Sequence, residues 1–363
     1  MDKDFLEQAK EMLNAELFKL DEFFFENFPG FSAKFKENFQ QVCESITKLQ
    51  NDNKLDEIAY LDYTMLRANI INKDYVAEVF VYGENWFLCE NQCAVGRFDI
   101  SFIFKYFDEL WKKLLFKGSR YIGTVKANEV NEFMMDVAPK FYSYLASLYR
   151  FSILDCIDKD YFIKIKKYPQ FEINAGEYMA FTEAVYKENS EKNREKCIEW
   201  FAKRLDPDYC FEDFSGLDFS GLDFCNTNFN RSDFRNALLK NTNFTEADLV
   251  GARFCGADLE NACFASACLH ESDFSGANLR NCEFSNSFAS LGRLYDVDWI
   301  LPSYFGINFR KADLRNADFR GAELEDADFT GAIMDSAKFD VNAKESLKLT
   351  SEQLKTVLFI DSD

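Results

Sequence analysis

From Gly251 to Arg280 the chain reads GARFC GADLE NACFA SACLH ESDFS GANLR, and it counts in fives. A bulky residue returns at Phe254, Leu259, Phe264, Leu269, Phe274 and Leu279. Two places before most of these sits a small one: Ala252, Ala257, Ala262, Ala267 and Ala277. Outward from this stretch the phase holds back to Phe214 and forward to Phe284. After a break it resumes from Phe309 to Phe339, which makes 22 units in one phase. A period of five fits neither a helix, at about 3.6, nor a strand, at about 2. A unit with one bulky and one small apolar residue among polar ones cannot bury its apolar side alone. Many such units stacked along one axis bury a continuous core.

The units ADLEN, ANLRN, ADLRN, ADFRG and AELED follow the pattern A-(D/N)-(L/F)-x-x. In this, residues 211–340 resemble the pentapeptide repeat family. The resemblance implies a right-handed quadrilateral β-helix with four pentapeptides per coil. Residues about 20 apart then stack in columns, at the strand spacing of about 4.8 Å. One column is expected at Phe214, Phe234, Phe254 and Phe274, and another at Phe224, Phe244, Phe264 and Phe284. Such ring stacks add about 0.5–1.5 kcal/mol per pair beyond area burial. The phase from Phe214 to Phe339 implies about six and a half coils, a rod on the order of 30 Å long.

The residue before each bulky one is usually Asp or Asn, as at Asp213, Asp233, Asn243, Asp273, Asn308 and Asp328. In the family this slot faces outward. Short polar side chains there bond to turn backbone; the functional reading is an acidic surface made for a partner. Residues 286–306, NSFASLGRLYDVDWILPSYFG, lose the Ala pattern yet keep the count, since 284 and 309 differ by 25. In-phase positions across the gap are Ala289, Leu294, Trp299 and Tyr304. One reading is an irregular coil with a bulged face. The other is a loop thrown off the rod, its phase kept by chance. Irregularities in repeats map to loops and binding faces. Arg293, Tyr295, Asp296 and Asp298, with Asp313, Asp318 and Asp328 beyond the gap, are therefore the candidate interaction surface.

The chain has 363 residues and a net charge of −20. Residues 206–363 hold 28 Asp and Glu against 14 Lys and Arg, a net −14, and residues 1–205 hold 34 against 28, a net −6. The repeats are the acidic half. That disfavours direct binding to nucleic-acid phosphates, which needs clustered cations, and favours a basic protein surface. The 11 cysteines are scattered rather than framed, as in a reducing cytoplasm. A single His argues against a Cys/His zinc site. There is neither an N-terminal apolar signal core nor a membrane-length apolar run. Richness in Lys, Asn, Phe and Ile suggests a low-GC bacterium.

The region before the repeats reads as a mostly helical α+β domain with a small antiparallel sheet, 1–205. The repeats then occupy 206–340, and a capping helix and tail 341–363. Helical spacing covers 2–27, with a stop at Pro29-Gly30 and a second helix capped by Ser32. A third helix is expected from Asp56 to Ile71. Strands are expected from Tyr75, Trp86 and Ala94, and helices over 100–116 and 127–153, the latter bent at Pro139. A hairpin turned at Tyr168-Pro169 and helices over 176–188 and 190–204 complete the domain, the last helix covering the first coil. Thr350-Ser351-Glu352-Gln353 is a capping-box pattern that starts a helix with Leu354, Val357 and Leu358 over the last coil. The same end, with Phe359 and Ile360, is the surface for a dimer; a monomer is the expected state.

No phosphate-loop, dinucleotide or nucleophile-elbow motif occurs. No catalytic residues, cofactor or metal are assigned. Glu172, Glu177 and Glu183 are the carboxylates an enzyme would use, although helix-start carboxylates are commoner. The reading is a non-catalytic interaction scaffold that presents an acidic β-helical rod to a protein partner in the cytoplasm. The family also contains gyrase-protecting quinolone- and fluoroquinolone-resistance proteins, which resemble DNA in shape and charge. A DNA mimic that binds gyrase or topoisomerase is therefore an alternative, and an enzyme in the N-terminal domain is another.

Overall fold

The structure, a computed structural model, describes residues 2–86, 92–121, 123–179, 182–203, 209–289 and 305–361. It divides into two compact units, Met1–Glu188 and Asn189–Asp363.

In the second unit each pentapeptide is a short bridge followed by a turn. Around Phe234 all five backbone donors find partners. Phe234 N–H donates to Arg253 O (2.7 Å) and Asn236 N–H to Cys255 O (3.0 Å), both on the next coil. Leu238 N–H donates back to Leu217 O (2.9 Å), and Ala237 N–H closes the turn on Phe234 O (3.1 Å). The fifth donor, Arg235 N–H, goes to Asp233 Oδ1 (3.0 Å). The Asp/Asn slot thus satisfies the one N–H that the coil leaves over. The turn has a positive φ at its third residue, 56° at Asn236, which makes it type II and favours Gly or Asn there. That slot is Gly or Asn in most units, although Arg231, Glu246, Glu271 and Lys311 also hold it.

The bridges are parallel and run 213↔233, 218↔238, 223↔243 and 228↔248, then repeat. Residues 20 apart pair, four bridges to a turn. The side chains follow. Phe234 stacks on Phe254 at 5.0 Å and 3°, and Phe254 on Phe274 at 4.8 Å and 5°. Phe244 stacks on Phe264 at 5.1 Å, and Phe264 on Phe284 at 5.0 Å. Phe214 and Phe224 begin these columns, at 5.2 and 5.5 Å from their neighbours. Across the interior the columns meet edge to face, as Phe244 meets Phe254 at 5.8 Å and 77°. Leu239, Leu259 and Leu279 are buried on the sides between. At Ser232, Thr242 and Ser272, which stand in the small slot, the hydroxyl donates to a backbone carbonyl one coil back, as Ser272 does to Leu249 O (2.8 Å).

At the break the columns decide between the two readings of 286–306. Asp273 bridges to Asn308, Glu283 to Asp318 and Phe288 to Glu323. Phe274 stacks on Phe309 at 5.4 Å and Phe284 on Phe319 at 4.8 Å. Rungs 35 apart pair where 20 is the rule, so the coil closes with fifteen residues to spare. Ala289 is a buried coil residue. Leu294, Trp299 and Tyr304 lie outside the described residues.

The last helix before the repeats covers the first coil as expected, whereas the unit boundary and the far end differ from the sequence reading. The helix Arg194–Lys203 belongs with the repeats, so the division falls at 188/189 rather than 205/206. The reason is Phe201. Its ring lies 5.5, 5.4, 5.0 and 6.1 Å from Phe214, Phe219, Phe224 and Phe229, plugging the first turn. Tyr209, one unit before Phe214, already stacks on Phe229 at 5.4 Å. At the far end the helix is only Gln353–Thr356. Thr350 and Gln353 do form the capping box, with Gln353 N–H donating to Thr350 Oγ1 (3.3 Å) and Thr350 N–H to Gln353 Oε1 (3.0 Å). Val357 is buried, whereas Leu354 and Leu358 are exposed. The strand Leu358–Ile360 pairs in parallel with Lys338–Asp340, placing Phe359 beside Phe339. Leu349, Leu354 and Phe359 keep the count of five, a signal the capping-helix reading passed over.

The first unit contains α1 (Lys3–Asn51), β1 (Ile58–Met65), α2 (Arg67–Ile71), β2 (Val76–Tyr82), β3 (Cys93–Asp99), α3 (Ser101–Gly118) and α4 (Ala127–Ile153). After these come α5 (Asp160–Ile163), β4 (Lys167–Glu177) and β5 (Thr182–Asn189). The sheet order is β3-β2-β1-β4-β5. It is mixed rather than antiparallel, because β1 pairs antiparallel with β2 but parallel with β4; the long connection through α3 and α4 permits the parallel pairing. Four expectations differ from the structure. α1 runs straight through Pro29: buried Phe24 and Phe31 on either side anchor one continuous stripe, and packing overrides the breaker. Ser32 is an interior helix residue whose hydroxyl meets that of Ser152 at 2.8 Å. Residues 58–65 are a strand buried on both faces, which periodicity cannot tell from a helix. Residues 167–177 and 182–189 are strands, not a hairpin at Pro169 followed by a helix. Leu61 and Tyr63 face α1 and α4, where Tyr63 lies 5.3 Å from Phe35 and 4.9 Å from Tyr149.

Candidate interaction surface

The outer faces of the coil are built from the Asp/Asn slots and the turn residues. Asp313, Asp318 and Asp328 are not brought together. Their bridge columns are 278-313-333, 283-318-338 and 273-308-328, on three different sides of the coil. Each accepts its turn N–H two residues on: Arg315 to Asp313 (3.4 Å), Arg320 to Asp318 (3.2 Å) and Thr330 to Asp328 (2.9 Å). Each also meets a cation. Asp313 lies 2.7 Å from Arg280 and from Arg315, Asp318 2.8 Å from Arg320 and 3.5 Å from Lys338, and Asp328 3.2 Å from Arg310. Burial pushes the carboxyls of Asp318 and Asp328 up, but hydrogen bonds and the nearby arginines more than offset it, so both sit below the usual carboxylate value. Surface pairs of this kind add only about 0–1 kcal/mol each. Their effect is to hold long side chains flat against the face. Arg293, Tyr295, Asp296 and Asp298 lie outside the described residues.

One buried version stands on the side that starts at Asp213. Asp233 lies 2.8 Å from both Arg253 and Arg235. Burial again raises its pKa, and the two guanidinium groups bring it below the ordinary value. On the turn edges an asparagine ladder runs up the coil. Asn261 Nδ2 donates to Asn241 Oδ1 (3.2 Å), Asn281 to Asn261 (3.0 Å) and Asn316 to Asn281 (3.1 Å). Sequence reasoning missed it, although Asn241, Asn261 and Asn281 recur at the coil spacing.

The carboxylates considered for catalysis are on strands, so no helix terminus acts on them. Glu172 pairs with Lys187 at 3.2 Å, Glu177 with Arg67 and Glu183 with Arg150. Glu172 and Glu177 are five apart on β4 and point to opposite faces. The ten described cysteines are free. Among the described residues, no three or more His, Cys, Asp or Glu side chains are grouped to hold a metal ion, and no helix is long and apolar enough to cross a membrane.

The family model for pentapeptide repeats matches in eight copies, over residues 213–245, 237–276, 257–290 and 306–340. The repeat segment is a pentapeptide repeat domain. The N-terminal unit matches no family model, and the chain matches no curated protein. Among solved structures, this chain is similar to a pentapeptide repeat protein of the Arabidopsis thaliana thylakoid lumen. The two share 26% identity over 41% of this chain and 81% of that one, with a TM-score of 0.21. HetL of Nostoc, involved in regulating heterocyst differentiation, is 19% identical over 41% and 82%, with a TM-score of 0.19. QnrB1, a plasmid-mediated fluoroquinolone resistance protein, is 21% identical over 34% and 79%, with a TM-score of 0.17. The gap between the last two matched segments of the family model, 291–305, falls where the bridge columns skip fifteen residues.

Proposed function

We propose that the chain is a non-catalytic interaction scaffold whose pentapeptide repeat domain offers an acidic coil and the segment 290–304 to a protein partner. The observation that carries this reading is the direct pairing of Asp273 with Asn308 and of Phe274 with Phe309. The ladder passes directly from Asp273 to Asn308, and Arg293, Tyr295, Asp296 and Asp298 are the candidate residues of the segment between. Rigid repeat solenoids commonly work through such surfaces. In this reading the coil is right-handed, and the C-terminal segment caps it: Gln353 Nε2 donates to Phe329 O (2.9 Å) and Ala332 O (3.2 Å), occupying carbonyls of the final turns. The protein acts as a monomer in a reducing cytoplasm.

The test is quantitative capture from the native cell with three baits: the wild-type chain, a deletion of 290–304, and the triple variant Asp313→Asn, Asp318→Asn, Asp328→Asn. A partner at near-stoichiometric yield with the wild type, lost on deletion while the melting profile is kept, is the expected result. The triple variant, spread over three sides, weakens capture less. No stable partner, or equal capture without 290–304, overturns the reading. A supercoiling assay with purified gyrase runs alongside, and inhibition there would replace the scaffold reading with DNA mimicry.

A further inference from the structure

On β1 the residues alternating with Leu61 and Tyr63 point away from α1 and α4. They are Tyr60, Asp62 and Thr64, beside Tyr82 and Phe80 of β2 and Asn174 of β4. Here lies a recess of ≈ 260 Å³, its open mouth included, with Asp62, Thr64, Tyr82, Trp86 and Tyr178 in its lining. Asp62 is 2% exposed. Its Oδ1 accepts from Asn174 Nδ2 (3.0 Å) and its Oδ2 from Trp86 Nε1 (2.7 Å). Both donors are neutral, and among the described residues no lysine or arginine pairs with this carboxylate. A buried carboxylate is ordinarily paired with a cation. The aromatic wall is built with some strain. Trp86, stacked on Tyr60 at 5.2 Å, has φ 48°, and Met179 at the rim has φ 55°. Large side chains rarely adopt this left-handed region, and such strain gathers at ligand clamps.

We propose that this recess binds the ammonium group of a small primary alkylamine, with Asp62 as its counter-ion and Trp86, Tyr82 and Tyr178 as its walls. The chemistry is complementary. An ammonium presents three donors and no acceptor. Each Asp62 oxygen has accepted one bond and keeps a lone pair. Thr64 Oγ1 donates to Glu78 O (3.2 Å) and remains able to accept. Ring faces attract cations, more strongly where water is excluded. The recess has room for about one water-sized group, a size nearer an ammonium than a trimethylammonium head. Other charged or titratable groups around Asp62 are Tyr60 on β1, Tyr82 on β2, Tyr142 on α4, Glu172 on β4 and Tyr178 beyond it, with Glu84 next to Tyr60. Glu172 is held by Lys187 of β5 at 3.2 Å. Burial, then neighbouring carboxylates, raises the tyrosines Tyr60 and Tyr82, so they stay neutral. Burial chiefly pushes the Asp62 carboxyl up to about 6, leaving it ionised near neutral pH. The site lies within the N-terminal unit and does not depend on the role proposed for the coil.

The experiment titrates the full chain with n-butylammonium chloride by calorimetry and follows the Trp86 indole N–H resonance, assigned with Trp86→Phe. 1-Butanol and tetramethylammonium chloride are the comparators. Saturable binding of butylammonium alone, with a shift of that resonance, is expected at about pH 7.5. At about pH 5 a carboxyl titrating near 6 is roughly one-tenth ionised, so binding weakens about tenfold. Asp62→Asn removes the binding. Should that variant fail to fold, the pH dependence of the wild-type chain decides. Absence of saturable binding, equal binding of butanol, or affinity unchanged between the two pH values overturns the proposal.

Discussion

Phe254 and Phe35 are both fully buried rings, reached by different routes. Phe254 meets Phe234 and Phe274 at 5.0 and 4.8 Å along its column, and Phe244 and Phe264 at 5.8 Å across the interior. All four neighbours stand at multiples of ten residues from it. Phe35 meets Phe39, Tyr63, Phe98 and Tyr149 at 5.9, 5.3, 5.7 and 4.6 Å. Those rings come from α1, β1, β3 and α4, at separations with no period. In the coil every contact is a copy of the one before, and loss of one rung leaves the others intact. In the N-terminal unit each contact is made once, between elements distant in sequence.

Truncating both rings should expose this contrast most strongly. Phe→Ala in a core costs about 3–5 kcal/mol. For Phe254→Ala we expect that loss in the transition of the repeat unit alone, with hydrogen exchange quickening in neighbouring rungs and little change toward the two ends. For Phe35→Ala we expect the whole N-terminal unit to lose protection together. Denaturant unfolding followed by site-resolved exchange checks both; a uniform loss in the coil would break the comparison.

The two units should also answer pH in opposite directions. Asp62 has a raised pKa, to about 6, so the folded unit binds its proton more tightly than the unfolded chain. Its contribution is present at low pH and is lost as pH rises through about 6, a change on the order of 3 kcal/mol. Asp233, Asp318 and Asp328 are depressed. Their contribution is present above the unfolded carboxylate value and lost as pH falls through their lower folded values. Melting curves between mildly acid and neutral pH should show the N-terminal transition weakening as the pH rises, a slope that Asp62→Asn removes. The repeat transition should weaken only in stronger acid.

Smaller effects sharpen the account of the coil itself. Lys311 holds φ 58° where most units have Gly or Asn, and a side chain there costs about 1–2 kcal/mol. Lys311→Gly should raise the repeat melting point, whereas Ala146→Gly, at a buried helical position of α4, should lower that of the N-terminal unit. Asp273 Oδ1 accepts from Ser275 N–H at 2.9 Å and from Asn308 Nδ2 at 2.9 Å. Asp273→Ala should cost about 1 kcal/mol, measured as a midpoint shift in urea.

The same contrast explains what could be read from the sequence. The coil was legible because Phe, Ala and Asp recur in fixed slots, so one unit read rightly gives all of them. Its limits were less so. Tyr209 and Phe359 keep the phase, but their flanks lack the small residue, and Phe201 plugs the first turn from outside the pattern. The break kept phase because the fifteen residues passed over are a multiple of five. In the N-terminal unit, helices with one apolar face, such as α4, matched their spacing. IAYLDYTM of β1 did not, because a strand buried on both faces has no alternation to read. Asp62 was invisible for a related reason: its partners Trp86 and Asn174 are distant in sequence, and only the sheet register places them together. The candidate surface residues Asp313, Asp318 and Asp328, five and ten residues apart, shared a slot in the unit but not a side of the coil.

The coil repeats every 20 residues and passes over fifteen at the break. Paired cysteines test it most directly, in a background where Cys225, Cys255, Cys263 and Cys268 are replaced by serine. Bridged neighbours lie within disulfide range, about 4.4–6.8 Å between Cα atoms. Asp273→Cys with Asn308→Cys should cross-link quickly on mild oxidation, while Asp273→Cys with Arg293→Cys, the pair an uninterrupted 20-residue turn would select, should not. The reverse outcome would contradict the account.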